Sequence, residues 1–589
     1  MNTVDLGAVA QAVAQTVAQA FEQAVQLWGD RPFLSVLPET AAIYGVPAGD
    51  ISYASMQRSI AALRDQYRAA GYQQGDRVGL LLENRPAFFL HWFALNGLGV
   101  SVVPINMELR AAELEYLIGH SEIVLAVALP SRHRALLDAA VSVGSRLVVM
   151  SADELPPSAP SSEREEREER EESAASAPVV PAAPSVSRVA GIAKSAGLPQ
   201  RADRRALSQA TECALLYTSG TTGKPKGCVL PNEYFLYAGH WYATIGGLVK
   251  LQPGTDRMLT PLPLTHMNAM ACSTTAMMMT GGCLILLDRF HPTTWWDSVR
   301  QSRATIVHYL GVMPAMLMKA PPAPDDTDHQ VRFGFGAGVE RPLQAPFEQR
   351  FGFPLLEGWA MTETGNGAVV IANQEPRLVG TSCFGREAPQ VQVRLVNDAG
   401  APAAIDEPGE LLVRHAGDNP RFGFFAGYLK DQAATDQAWA DGWFHTGDIV
   451  SRDAQGMLHF IDRRKNVIRR SGENISAVEV ESVLNQHPTV RAAAVAAVAD
   501  AIRGDEVLAC VVSHEPVAVF DRERIAADLV AHCLSRLAYF KAPGYIAFVD
   551  ALPLTPSQKI ARGELRGLAA ALAGGADCID TRKLKKRQD

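Results

Sequence analysis

Apolar and polar positions along this chain follow two rhythms. Residues 9–28 and 52–70 carry their apolar side chains at helical spacing and read as amphipathic helices. Residues 71–76 read as a turn and 78–82 as a short, unbroken apolar run of the kind a buried strand shows. Residues 86–98 read as an apolar helix and 100–105 as a second strand. Such β–α–β alternation argues for a parallel sheet covered by helices. It resumes over residues 207–380. From 385 to about 460 the segments shorten and turn residues punctuate them at 397–400, 406–409 and 441–442, which predicts a small β-rich subdomain. Beyond residue 462 a smaller α+β module follows. Its predicted elements are helices over 477–486 and 525–537 and strands over 492–498, 507–512 and 545–549. No internal repeat is visible.

One stretch breaks both rhythms. Residues 163–172 alternate Glu and Arg, and Ser, Ala and Pro then dominate to residue 187. With almost no large apolar side chains, such a segment cannot offset its ordering entropy. Residues 151–205 are therefore expected to be an inserted, largely disordered surface segment.

Composition narrows the class. The 589-residue chain is 47% hydrophobic with a formal net charge of −8, ordinary for a globular protein with several subdomains. Nothing in that charge points to nucleic acid. The basic stretch at 582–587 reads as a solvated tail. The eight cysteines form no C-x-x-C pair, which predicts reduced thiols in a cytoplasmic enzyme rather than a zinc or redox site. The N-terminus lacks a basic region and is not read as a signal peptide. No apolar run reaches about 18 residues, so no transmembrane segment is expected.

The chemistry concentrates first in a loop. After the strand-like residues 214–217 come Thr218, Ser219, Gly220, Thr221, Thr222, Gly223, Lys224, Pro225 and Lys226. Glycines let backbone N–H groups approach an anion, hydroxyls add donors and lysines add charge. This composition handles phosphate, yet it fails the P-loop pattern. Thr218 stands where the first glycine would be, and Pro225 follows the lysine where Ser or Thr belongs. Pro225 also disfavours helix at Lys224, so the segment reads as a loop between strands.

This loop closely resembles the phosphate-binding signature of the adenylate-forming superfamily, which includes acyl- and aryl-CoA synthetases, luciferases and peptide-synthetase adenylation domains. Further motifs follow in the expected order. His266, within Pro261–Asn268, resembles the residue that gates the acid site. Gly338, in a small Gly-rich run, resembles the border of the adenine pocket. In the run from Glu357 to Gly365, Trp359 stands where Tyr is usual and would stack on adenine. Thr362 and Glu363 match directly, Thr362 for phosphate and Glu363 for Mg²⁺. Asp448 matches the ribose-binding carboxylate and Arg463 an arginine that contacts ribose or phosphate. Lys465 falls at the hinge, and Gly472 retains the second of two customary glycines where pantetheine would approach. Lys559, in a Pro-bounded loop near the end of the chain, matches the adenylation lysine.

What the resemblance implies is an α/β enzyme. Residues 1–462 would be a large N-terminal adenylation domain of βαβ subdomains plus the β-rich one. Residues 463–570 would be a small mobile α+β domain, and 571–589 a tail. The implied activity is ATP-dependent acid:CoA ligation. ATP, Mg²⁺ and CoA join a small-molecule carboxylic acid, first as an acyl-adenylate and then as a thioester. The residues near 379–386 and 462–476 look most like bacterial crotonobetaine/carnitine-CoA ligases and their relatives. A quaternary ammonium acid would want an aromatic cage, for which Tyr237, Trp241, Tyr242 and Trp359 are candidates, while the Met-rich run 267–279 equally suits an aliphatic or aryl chain. An alternative is an adenylation enzyme loading the phosphopantetheine of a carrier protein. A third reading, a nucleotide-binding protein without catalysis, is opposed by Thr362, Glu363, Asp448, Arg463 and Lys559. The acid and the oligomeric state are left open.

Overall fold

The computed structural model of the chain describes residues 14–159, 206–218, 224–339, 341–397, 400–463, 467–471, 473–553, 560, 562–575 and 577–585. The predicted alternation is realised as two mostly parallel sheets side by side. In one, seven strands run in the order Gly427–Tyr428, Lys226–Pro231, Glu212–Thr218, Ser101–Pro104, Arg77–Leu81, Leu125–Ala128, Val148–Met150. In the other, eight strands include Arg257–Thr260, Ile306–Leu310, Phe333–Ala337 and Leu355–Trp359. Helices such as Tyr53–Ala69 and Pro86–Asn96 pack on these sheets. The second is apolar on all sides and buries Phe88, Phe89, Trp92 and Phe93, which is why its sequence shows few polar breaks. One core cluster joins both sheets.

The β-rich stretch is a four-stranded antiparallel sheet of Val391–Val396, Gly409–His415, Phe444–Arg452 and Leu458–Arg463. The last module has core clusters of its own, built on Val490–Asp500 and Gly504–Ser513 with the helices Ala477–Leu484 and Arg522–Leu534. Among the described residues no helix is long and apolar enough to cross a membrane.

Three expectations need correction. The chain end is not a solvated tail throughout. Cys578–Asp580 adds a strand against Tyr545–Phe548, and the fully buried Lys585 donates to Glu506 Oε1 at 2.6 Å, beside Arg470. A carboxylate buried in a sheet needs cations, and the chain end supplies one. The inserted segment also begins later than expected. Residues 151–159 pack on the domain, where Glu154 accepts the Ser151 N–H and Ala159 N–H donates to Ala70 O at 2.7 Å; residues 160–205 lie outside the described residues. Finally, the aromatic cage is not assembled. Tyr242 is buried against His308, Trp241 lies against Phe335, and Tyr237 packs edge-on to Phe422. The Met-rich run likewise forms buried helix, with Met270, Met277 and Met278 in the core.

Candidate active site

A cavity of about 730 Å³ opens where the parallel strands end and the last module faces them. Ligands in open α/β sheets bind outside the carboxyl ends of strands, and here strands such as Ser101–Pro104, Glu212–Thr218 and Ile306–Leu310 deliver residues there. Strand Glu212–Thr218 runs into the phosphate loop and pairs antiparallel with Lys226–Pro231, Thr218 opposite Lys226. The expected loop between strands is thus a hairpin. Residues 219–223, carrying Ser219, Gly220, Thr221, Thr222 and Gly223, lie outside the described residues. Lys226 Nζ sits 4.5 Å over the Tyr428 ring and 3.9 Å from Asp431. Lys224 Nζ lies 5.3 Å over Tyr116.

Thr362 and Glu363 follow strand Leu355–Trp359. Tyr234 Oη donates to the Thr362 carbonyl at 3.0 Å, which fixes that turn. Glu363 Oε1 accepts two hydrogen bonds, from Tyr428 Oη at 3.0 Å and Thr218 Oγ1 at 3.3 Å. Three chain segments distant in sequence therefore orient one carboxylate. Among the described residues no group of three or more His, Cys, Asp or Glu gathers as a metal cluster. A single carboxylate oriented as Glu363 is matches the kind of ligand Mg²⁺ takes beside substrate phosphates.

Asp448 lies on strand Phe444–Arg452, directly across from Arg463, whose side chain lies outside the described residues. It is almost fully buried, and Oδ2 accepts the indole N–H of Trp359 at 2.8 Å. Trp359 is itself nearly buried, and its N–H is a donor that must be paired when buried. Its neighbours Ala360 and Met361 line the cavity. Gly338 follows the strand Phe333–Ala337. It adopts φ +81°, where a side chain would be strained, and a Cβ there would come within 3.3 Å of Arg469. Its N–H donates to Glu357 Oε2 at 2.8 Å, and Tyr309 Oη donates to Oε1 at 2.5 Å. Burial raises the Glu357 carboxyl above its ordinary range, against the pull of these donors.

His266 lines the cavity, and its Nε2 lies 3.7 Å from Glu473 Oε2 of the last module. Burial works to depress this imidazole, but Glu473 outweighs it and raises the His266 pKa. Thr218, Lys226, His266, Thr362, Glu363 and Asp448 thus share one cavity. Lys224, Gly338 and Trp359 stand around it. Lys465, Gly472 and Lys559 lie outside the described residues.

Sequence reasoning assigned no role to Tyr428, Glu357 or Tyr234. Each acts through a partner tens or hundreds of residues away, so no local pattern marks it. Tyr428 had the best signal: a tyrosine beside Gly427, with Lys430 and Asp431 just beyond.

Comparison with known proteins agrees with this geometry. The sequence pattern of the AMP-binding enzyme family matches residues 21–429, and that of the AMP-binding enzyme C-terminal domain matches residues 479–559. The chain belongs to the AMP-binding enzymes. It is 27% identical over 523 residues to a crotonobetaine/carnitine–CoA ligase of Salmonella agona, covering 87% of this chain and 93% of that one. Among solved structures it resembles an o-succinylbenzoate CoA synthetase from Bacillus subtilis bound with a product analogue (TM-score 0.73, 23% identity, 93% of this chain and 98% of that one). It also resembles an amide bond synthetase from Marinactinospora thermotolerans (TM-score 0.71, 22% identity, 94% and 100%).

Proposed function

We propose that the chain is an ATP-dependent acid:CoA ligase. The observation that carries this is the single cavity in which the Thr218–Lys226 hairpin, Glu363, Asp448 and His266 meet the last module. The match to AMP-binding enzymes along most of the chain supports the same reading, as does the similarity to a CoA ligase.

In the first half-reaction an oxygen of the acid attacks the α-phosphorus of ATP, the bond from that phosphorus to the bridging oxygen breaks, and pyrophosphate leaves. Lys226 and the hairpin hydroxyls hold the β- and γ-phosphates, Asp448 accepts the ribose hydroxyls, and Lys559 brings a positive charge to the acid and the α-phosphate. Glu363, oriented by Tyr428 and Thr218, is the residue that would hold Mg²⁺, which neutralises phosphate charge when bound. In the second half-reaction the CoA sulfur attacks the acyl carbon, the bond to the AMP oxygen breaks, and AMP takes the electron pair while the thiol proton passes to solvent. Between the two, the last module turns about Lys465, presenting first Lys559 and then the segment around Gly472.

The cavity wall where the acid would lie includes Leu262, Met267, Leu310, Ala360 and Met361. With the candidate cage aromatics packed in the core, this wall favours an uncharged aliphatic or aryl acid over a quaternary ammonium acid. The test is a panel of acids with ATP and Mg²⁺, with and without CoA, read for AMP, pyrophosphate and thioester. Acid-dependent thioester is the expected result. AMP and pyrophosphate without CoA-thioester would move the reading to an enzyme that loads a carrier protein, and retained ATP binding without turnover would sink both.

A further inference from the structure

A second cluster of charge lines the same cavity, and none of the steps above uses it. Lys541 Nζ lies 2.5 Å from Glu113 Oε1 and 2.9 Å from Glu479 Oε1. Their side chains are only 9%, 7% and 10% exposed. Lys541 and Glu479 belong to the last module. Glu113 belongs to the first turn of the helix Ala111–Ser121, beside the seven-stranded sheet. Glu113 Oε2 also accepts two backbone N–H groups, from Arg110 of its own helix at 3.0 Å and from Ala538 of the last module at 3.1 Å.

Three buried charges seldom persist without complete pairing. Here the pairing divides along the module boundary. If the last module turns away, Lys541 keeps Glu479, a balanced pair within its own module. Glu113 keeps the Arg110 N–H, so its helix stays capped, and regains water. What is lost is Glu113 to Lys541 and Glu113 to Ala538. These contacts can therefore be made and broken without leaving an orphan charge inside either part, which is what a two-state element requires. The electrostatics agree: burial opposes the Lys541 charge, yet the two carboxylates hold its pKa well above the ordinary lysine value. Burial and the nearby Glu113 carboxylate raise Glu479.

We propose that Glu113 and Lys541 form a latch that holds the last module in its thiol-transfer position and must open for adenylation. Both are positioning residues, and the proposal rests on the two-step ligase reading above. In the latched position, Glu113, Glu479, Lys541 and Phe540 line the same cavity as His266, and Glu473 of the last module faces that imidazole at 3.7 Å.

Glu113→Gln tests it, because the amide oxygen still accepts both N–H groups while the charge is gone. Two half-reactions are measured separately: acid-dependent ATP–pyrophosphate exchange, and thioester formation from preformed acyl-adenylate and CoA. The distance between labels on the two modules is measured on the full-length protein without substrates. The expected result is thiol transfer slowed on the order of tenfold, exchange undiminished or faster, and a lengthened distance distribution. Lys541→Met should do the same, and the double variant should be no slower than the slower single, since both remove one contact. Unchanged thiol transfer with an unchanged distance overturns the latch. So do equal losses in both half-reactions, or additive losses in the double variant. If the wild type adenylates no acid, the ligase reading fails by itself, while the distance measurement still reports whether Glu113 and Lys541 hold the modules together.

Discussion

The cavity has two faces of unlike construction. On the sheet side, three of the candidate groups are tied to the main core by a hydrogen bond. Asp448 is held by Trp359, the Thr362 carbonyl by Tyr234, and the Gly338 N–H by Glu357. On the other face, the last module meets the cavity through charges, with Lys541 against Glu113 and Glu473 against His266. Its apolar clusters are its own. Packed cores are not continuously deformable, whereas charges that keep a partner or regain water on separation can be made and broken between two parts without stranding a charge in either. The sheet face is therefore built to hold a nucleotide in one geometry, and the opposite face to be exchanged. Substitutions on the sheet face should damage both half-reactions, and substitutions on the other face only one.

Lys559→Ala puts the largest strain on that contrast. If Lys559 plays the role proposed above, loss of its charge should cut acid-dependent pyrophosphate exchange by about 10²–10³-fold. Thioester formation from preformed acyl-adenylate should stay near the wild-type rate. Near-normal exchange would remove Lys559 from the adenylation step, and a parallel loss in both assays would mean the two faces are not separable.

The two faces were also unequally legible in the sequence. Strand-to-loop motifs announce themselves because the backbone needs the same residues the chemistry does. The hairpin around Lys224 and Pro225, the turn at Thr362 and Glu363, and the strand bearing Asp448 all fell where local pattern placed them. The parallel sheets followed from apolar runs such as 78–82 and 100–105, close to the observed Arg77–Leu81 and Ser101–Pro104. Lys541 had no such signal. A lysine before Ala542 and Pro543 reads as a surface charge until Glu113, 428 residues earlier, is brought against it. The motifs marked Trp359 and Asp448 separately, but the bond between the indole N–H and that carboxylate, 89 residues away, is visible only in the fold. The chain end failed because six basic-rich residues look solvated, while the strand pairing that buries Lys585 is visible only in the fold.

Trp359→Phe sharpens the sheet side. The ring volume is largely kept and the donor is lost, so Asp448 keeps its burial but loses one bond that orients it. A hydrogen bond to a charged group contributes about 1.5–3 kcal/mol, so apparent affinity for ATP should fall by roughly tenfold or somewhat more. Because AMP is held in both steps, thiol transfer from the acyl-adenylate should weaken as well. A defect confined to pyrophosphate exchange would contradict the idea that this face serves both half-reactions.

The smallest effect belongs to the pair His266 and Glu473. In the present arrangement the His266 pKa is raised, since Glu473 outweighs burial. A group with a raised pKa stabilises the arrangement that raises it. That contribution is complete below the ordinary histidine value of about 6.5 and disappears as pH rises through the raised value. Glu473 is lowered: burial opposes its charge, but His266 and Lys541 prevail. Its contribution is complete above the ordinary glutamate value of about 4.3 and is lost as pH falls through the lowered one. The pair should therefore favour the closed modules most between those two ordinary values, and progressively less above them. His266 is 47% exposed, so solvent screening limits the change in the closed-to-open ratio to no more than about fivefold. The inter-module distance is the proper readout, because the rate of thiol transfer also depends on ionisation of the thiol. His266→Asn should flatten the dependence above neutral pH while the Glu113–Lys541 contact persists. A distance distribution that shifts with pH equally in that variant would assign the effect to another group and leave the charged face with one switchable contact instead of two.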